Sequence, residues 1–277
     1  MSLRTGGATR TDARPAGGGA PLHVLLTNDD GIASPGLLAL ARAMSRAAST
    51  FVVAPEHERS AASHAITLHK PLRATRVALA GLDVPAWATN GTPADCVALG
   101  MLELLAQPPD VVVSGINVGA NLGMDLIYSG TVSGAVEGAL FGVAAVAMSV
   151  AAFRDLYWEP AADFAVQLVA QIAQHGLPSD TFLNVNVPNR PALEIGGVEI
   201  TRQSTRRFAS RLEKRADPRG RDYYWLTGSA EDAESPGGTD AWAVAQGRIS
   251  VTPLRLSMTY EELDPVLRSW RLAVPGR

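Results

Sequence analysis

Short apolar runs alternate with stretches of helix-spaced apolar residues from residue 23 to residue 187. His23–Thr27 (HVLLT) is an apolar run that stops at Asn28-Asp29-Asp30-Gly31, which predicts a strand entering a turn. After Pro35-Gly36, LLALARAMSRAA carries apolar residues at helical spacing, and Phe51–Ala54 (FVVA) is a second strand ended by Pro55. These form a β-α-β unit, whose crossover is right-handed in nearly all known cases. Leu72–Val77 and Val84–Thr89 predict a hairpin beside the main sheet. A helix over Pro93–Leu105 starts from a Thr92 cap with Pro93 at its first position. Val111–Ser114 is continuously apolar, as in a strand covered on both faces. Thr131–Phe141 then reads as a small-residue helix, Ala144–Val150 as a strand, Ala161–Gln174 as a helix and Phe182–Val187 as a strand. Strands alternating with helices predict an α/β fold with a doubly wound, mostly parallel sheet.

The texture changes after Pro188. Residues 202–222 are rich in Arg, residues 228–240 are polar and Gly-rich, Arg248–Pro253 predicts a strand, and Tyr260–Trp270 a terminal helix. This divides the chain into a leader at 1–20, an α/β core at 21–188 and a C-terminal extension at 189–277. The extension has hairpins, a final strand and a helix, and could reach a neighbouring subunit. The leader is Gly-, Ala-, Arg- and Thr-rich without the apolar core of a signal peptide, so it is expected to be disordered. The longest apolar stretch, Gly138–Phe153, is interrupted by Gly142 and Ser149 and is short of a membrane span. A cytoplasmic protein without a membrane partner is expected.

Composition narrows the chemistry. Of 277 residues, 47% are hydrophobic and 18% charged, enough apolar material for a core and against wholesale disorder. A net charge of -3 argues against gripping a nucleic-acid polymer through its phosphates. The single cysteine, Cys96, excludes an internal disulfide framework and a cysteine-rich zinc site, and its place in a helix beside Val97 reads as core packing.

Candidate chemistry lies in the loops that follow the strands, where open parallel sheets bind ligands. In the first, Asp29 and Asp30 are adjacent carboxylates whose repulsion a hard divalent cation would relieve. Asp-Gly is equally an ordinary turn signal. The second loop runs from Ala54 to Ser63, where Ser60 offers a neutral oxygen and Arg59 a countercharge; a plain solvated loop is its alternative. The third runs Ser114-Gly115-Ile116-Asn117-Val118-Gly119-Ala120-Asn121-Leu122-Gly123 and ends in Tyr128-Ser129-Gly130-Thr131. Backbone N–H groups and hydroxyls at a helix start suit a phosphate, and they equally cap the helix. The spacing excludes a P-loop, and no Gly-x-Gly-x-x-Gly follows the first strand. Asn90, in Asn90-Gly91-Thr92-Pro93, either lines the pocket or is structural. His57, His64 and His69 stand close in sequence, but no Ser/His/Asp order is recognisable.

Taken together, LLTNDDGIASPGL, VVAPEHERSAAS, NGTPADCV and VVSGINVGANLGMDLIYSGTVSGAVEG resemble the SurE family of nucleotidases. LNVNVP at 183–188 and TDAWAVAQGRISVTPL at 239–254 resemble later segments of that family. The resemblance implies a Rossmann-like fold whose C-terminal elements exchange between subunits of a homodimer or homotetramer. It also implies a phosphomonoesterase that needs one divalent ion per subunit, Mg²⁺ or Mn²⁺. Its substrates would be nucleoside 5'-monophosphates, with 3'-monophosphates and polyphosphate as further candidates. The family's metal ligands fall on Asp29, Asp30, Ser60 and Asn117, with Asp29 and Asp30 also catalytic. Its phosphate-facing segment falls on Asn121, Ser129, Gly130 and Thr131.

The chain departs from the family pattern in two places. Glu56-His57-Glu58-Arg59-Ser60-Ala61 stands where relatives often read Asp-Arg-Asn-Arg-Ser-Gly, which makes the loop more negative. Arg248 stands where an aromatic is common. Two rivals share the scaffold. A haloacid-dehalogenase-type phosphatase would pass through an aspartyl-phosphate, but it needs Asp-x-Asp, and position 28 is Asn. A nucleotide-sensing module would bind without metal-dependent turnover.

Overall fold

The structure is a computed structural model that describes residues 21–230, 235–272 and 274; the expected leader at 1–20 lies outside the described residues. Nine strands form one sheet. In chain order they are β1 (His23–Thr27), β2 (Ser49–Pro55), β3 (Ala74–Leu79), β4 (Leu82–Thr89), β5 (Val111–Val118), β6 (Ala144–Val150), β7 (Thr181–Val187), β8 (Val198–Ile200) and, after an intervening ribbon, β11 (Ile249–Arg255). Their spatial order is β3-β4-β2-β1-β5-β6-β7-β11-β8. The strands from β4 to β7 pair in parallel, whereas β3 on β4 and β11 on β7 are antiparallel. The expected hairpin forms and its second strand joins β2, so it extends the sheet rather than standing beside it. Beyond Pro188, β8 and β11 also enter this sheet, while β9 (Phe208–Ala216) and β10 (Asp222–Ala230) pair as a separate ribbon.

Helices cover both faces. α1 (Pro35–Met44) and α4 (Glu159–His175) pack on one face, and α2 (Pro93–Leu99) and α3 (Gly130–Leu140) on the other. Strand side chains alternate between the two cores accordingly. Val24 and Leu26 join Leu37, Leu40, Met44 and Val169, while Leu25 joins Cys96, Val97, Val132 and Ala135. Both alternate sets are apolar because each face meets helices, and this explains the continuous apolar runs.

Helix starts follow local chemistry. Ser34 caps α1, Thr92 and Asp95 form a reciprocal capping box on α2, Ser129 caps α3, and Thr239 caps α5 (Asp240–Ala245). The helix expected to reach Leu105 is α-helical only to Leu99, then widens into a π turn over Gly100–Leu104. There Gly100 lies against Leu25, and an added Cβ would come within 2.8 Å of its Cδ2. The strand expected to end at Ser114 continues to Val118 through a bulge in its pairing with β6. Gly115 (φ +144°) makes that bulge possible, since a Cβ there would stand 2.3 Å from the Met148 carbonyl oxygen. The terminal helix is shorter than expected, a 3₁₀ turn at Glu261–Leu263 followed by α6 (Asp264–Ser269).

Candidate active site

The chain moves from β1 to β2 on one side and later returns to β5 on the other. This reversal opens a crevice at the carboxyl ends of β1 and β5, the place where open α/β sheets bind ligands. Thr27 pairs with Ser114 across that boundary, so Asn28-Asp29-Asp30 and the segment through Asn117 leave the sheet side by side. Asp30 Oδ2 accepts the Val118 N–H at 3.2 Å, which ties the two loops together. The second loop joins through its backbone, as Arg59 N–H donates to the Asp29 carbonyl at 2.7 Å.

Asp29 is buried against the start of α3, and the Thr131 hydroxyl donates to its Oδ1. Gly130 makes the approach possible. A Cβ at that position would come within 2.8 Å of both Cβ and Oδ2 of Asp29. Burial raises the Asp29 pKa above the ordinary carboxylate value, partly offset by the Thr131 hydrogen bond. Burial also lifts Asp30 to about 6, with the Asp29 charge adding to it and Glu58 contributing further. Glu58 lies in the segment where the chain departs from the family pattern, and its field reaches both aspartates. The sequence signalled extra negative charge in this loop, with a shift in metal and substrate preference expected from it; the structure identifies Glu58 as the residue whose charge acts on the pair.

Asn117 donates through Nδ2 to the Val118 and Gly119 carbonyls, at 3.1 and 2.8 Å. Those bonds set the amide's orientation and leave Oδ1 to accept or ligate. Ser60 is exposed, and its hydroxyl donates to Glu58 Oε1 at 2.5 Å. Among the described residues, no three His, Cys, Asp or Glu side chains gather into a metal-sized group. Of the four ligands expected from the sequence, Asp29 and Asp30 are adjacent carboxylates and Asn117 adjoins Val118, which Asp30 holds, whereas the Ser60 hydroxyl is turned to Glu58. The chemistry fits a hard divalent ion, because two nearby carboxylates with raised pKa values form a site that a 2+ charge would relieve.

The phosphate-side candidates divide. Ser129 Oγ caps α3 by accepting the Val132 N–H at 3.1 Å, and the Thr131 hydroxyl is engaged with Asp29. Gly130 sits between them at the helix start, beside Asp29. Asn121 is knitted into a buried amide network. Its N–H donates to Asn186 Oδ1 at 2.8 Å, its Nδ2 donates to Ser149 Oγ at 2.9 Å, and its carbonyl accepts from Asn184 and Asn186. Asn90 spends both ends of its amide on the hairpin side, accepting from Arg73 N–H and donating to the Pro71 carbonyl. Its carbonyl accepts from Arg59 Nη2 at 3.1 Å, so Arg59 braces the second loop against the Asn90-Gly91 turn. Of the three histidines, His64 pairs with Glu137 of α3 at 2.7 Å, while His57 and His69 are exposed. Arg248 forms an ion pair with Glu199 of β8 at 3.1 Å and packs against Gly196 and Gly197.

The family model for Survival protein SurE matches residues 24–210. The chain belongs to the SurE family. It is 48% identical over 249 residues to the 5'-nucleotidase SurE of Heliobacterium modesticaldum, covering 90% of this chain and 92% of that protein. It is 52% identical over 236 residues to the 5'-nucleotidase SurE of Moorella thermoacetica, covering 85% and 91%. The crystal structure of the SurE protein from Aquifex aeolicus superposes with a TM-score of 0.78 at 40% identity, covering 89% of this chain and 98% of that one. The Rossmann-like expectation thus agrees with a solved SurE fold. No helix among the described residues is long and apolar enough to cross a membrane.

Proposed function

We propose that this SurE chain is a divalent-metal-dependent 5'-nucleotidase, a phosphomonoesterase that converts nucleoside monophosphates to nucleoside and phosphate. The observation that carries the reading is the acidic pair at the switch point, where Asp29 meets the start of α3 and Asp30 meets Val118. The names of the relatives support the substrate class. Asp29, Asp30, Ser60 and Asn117 would hold one Mg²⁺ or Mn²⁺. A bound divalent ion supplies polarisation of the phosphoryl group and a more acidic water.

The chain's own groups do the rest. The start of α3 faces the acidic pair, and its dipole favours the negative charge of a phosphoryl group placed there. Thr131 orients the Asp29 carboxylate through its hydroxyl. Asn117, its amide nitrogen already engaged, presents an oxygen to the site. Asn121 and Ser129 hold the loop that frames the phosphate. The aspartyl-phosphate alternative gains nothing from Asn28, whose Nδ2 is spent on the Gly31 carbonyl and Ser34 Oγ. A cytoplasmic homo-oligomer is part of the same reading. Cys96 is a free buried thiol, as suits a reducing compartment, and Tyr224, Leu226 and Trp270 are exposed on C-terminal elements.

The test is phosphate release from a panel of nucleoside 5'- and 3'-monophosphates and polyphosphate, with EDTA, Mg²⁺ or Mn²⁺. The expected result is metal-dependent release from 5'-monophosphates that disappears in Asp29→Asn and Asp30→Asn. Release that resists EDTA, or near-normal turnover in Asp29→Asn with metal bound, would overturn the assignment. A phosphorylated Asp29 trapped during turnover would transfer it to the aspartyl-phosphate class.

A further inference from the structure

The loop between Asn117 and Ser129 is gripped at its middle by a carboxylate 117 positions further along the chain. We propose that Asp240 is a positioning residue of the nucleotidase site, coupling the C-terminal region to the phosphate-framing loop. The proposal rests on the function proposed above.

Asp240 is fully buried at the start of α5. Its Oδ2 accepts the Gly123 N–H at 2.8 Å. Its Oδ1 accepts the Ser204 N–H at 2.9 Å and the Ala241 N–H at 2.7 Å. A carboxylate without water is tolerable only when its lone pairs are used in this way. One oxygen therefore faces the site loop and the other faces the C-terminal segment. Two more bonds join the same strips of chain. Gln203 Nε2 donates to the Gly123 carbonyl at 2.7 Å, and Met124 N–H donates to the Arg206 carbonyl at 2.7 Å. Gly123 has φ +57°, and a Cβ there would stand 2.3 Å from the Arg206 carbonyl oxygen. Residues 203–206 lead directly into β9, so the ribbon's root and the site loop meet at Gly123.

The geometry separates two sides of the site. Asp30 and Asp29 are tied to Val118 and Arg59 near the strand ends, without Asp240. The stretch from Asn121 to Ser129 is instead held to the sheet through Asn186, to the C-terminal region through Asp240 and its neighbours, and to the second loop through Ser63, which donates to the Tyr128 and Ile127 carbonyls. Loosening the Asp240 pin acts first on the phosphate side, because Asp30 and Asp29 keep their own bonds to Val118 and Arg59. In Asp240→Asn one oxygen becomes an NH₂ group that must face a backbone N–H, so one of the grips is lost with little change in volume.

The test compares the wild type with Asp240→Asn, Gly123→Ala and Thr252→Ala. Thr252 is a buried control in the same region, and its hydroxyl bonds go to Thr201 and Ser250. Four quantities are measured: kcat and KM for a nucleoside 5'-monophosphate, Mn²⁺ affinity, Tm, and amide hydrogen exchange over residues 121–129. The expected result for Asp240→Asn and Gly123→Ala is a fall in kcat/KM of about 10–100-fold and faster loop exchange. Mn²⁺ affinity should fall less than kcat/KM does, because Asp29 and Asp30 keep their own bonds to Arg59 and Val118. Thr252→Ala should lose Tm while keeping wild-type kcat/KM and loop exchange. Wild-type kinetics and exchange in Asp240→Asn, or the same changes in Thr252→Ala, would overturn the positioning role. Absence of metal-dependent release in the wild type would instead end the nucleotidase reading. Asp240 would then be judged on exchange alone, with unchanged loop exchange in Asp240→Asn overturning the inference.

Discussion

The Thr131 hydroxyl donates to Asp29 Oδ1 across 102 positions of sequence, joining the first turn of α3 to the loop after β1. The bond serves two ends at once. It satisfies a buried hydroxyl, and it offsets part of the cost that burial places on the Asp29 charge. Removing it in Thr131→Val leaves the carboxylate less stable as an anion, with only its backbone hydrogen bonds to hold it. Hydrogen bonds to charged groups contribute about 1.5–3 kcal/mol, so Mn²⁺ affinity should weaken about 10–100-fold. Thr131→Ser, which keeps the donor, should recover most of it. Titration of both variants with Mn²⁺ checks this, and equal affinities would remove the role given to the hydroxyl.

Gly130→Ala tests space rather than hydrogen bonding. Alanine is the better helix former, so helix propensity alone predicts no loss of stability. The added Cβ would nevertheless come within 2.8 Å of Asp29, which must move. Turnover should fall about 100-fold or more, in line with a displacement near 1 Å of a site group. Turnover within a factor of about two of wild type would show that the contact is not needed.

Asp30 sets a pH dependence for the metal-free protein. Its pKa lies at about 6 against 3.8 for an ordinary aspartate, chiefly through burial. The native state therefore keeps a proton that the unfolded state has released between about pH 4 and 6. The stability linked to this group is present below pH 3.8 and is lost as pH rises through about 6. Asp29 shifts in the same direction. A bound cation takes the proton's place, so the gain in Tm on adding Mg²⁺ or Mn²⁺ should be larger at pH 7 than at pH 5. A gain that is the same at both pH values would contradict this.

Cys96 should be inert in the native protein. It is fully buried, with Sγ 3.0 Å from Thr89 Oγ1, and burial pushes the thiol up to about 12. Thiolate is the reactive form, so a disulfide reagent at pH 8 should label no thiol until the chain is unfolded and then label one. Rapid labelling of the folded protein would show that the helix α2 face opens.

Element positions were legible because the forces that start and stop them act locally. Ser34, Thr92 and Ser129 cap helices through N–H groups within three residues. The apolar runs at β1 and β5 needed only the knowledge that both faces would be covered. Where local reading fell short, packing had intervened. Gly100 opens the helix into a π turn against Leu25, and Gly115 carries β5 past Ser114 through a bulge against Met148. A strand end is a tertiary event when its pairing partner lies on another strand.

The sequence by itself determined that carboxylates would crowd in a loop after the first strand, that hydroxyls would stand at the start of α3, and that the strands would alternate with helices. Adjacency in sequence is enough for two like charges to meet, and a cap needs only the next turn. Tertiary structure alone decided which of those groups face one another. It turned the Thr131 hydroxyl toward Asp29, set the Asn90 amide to hold the hairpin, brought the field of Glu58 onto both aspartates, and set Asp240 under Gly123. The partners in these bonds lie up to 117 residues apart. No local preference encodes such pairings; they follow from the strand order, which brings the ends of β1 and β5 together and closes the C-terminal region over the loop between Asn117 and Ser129.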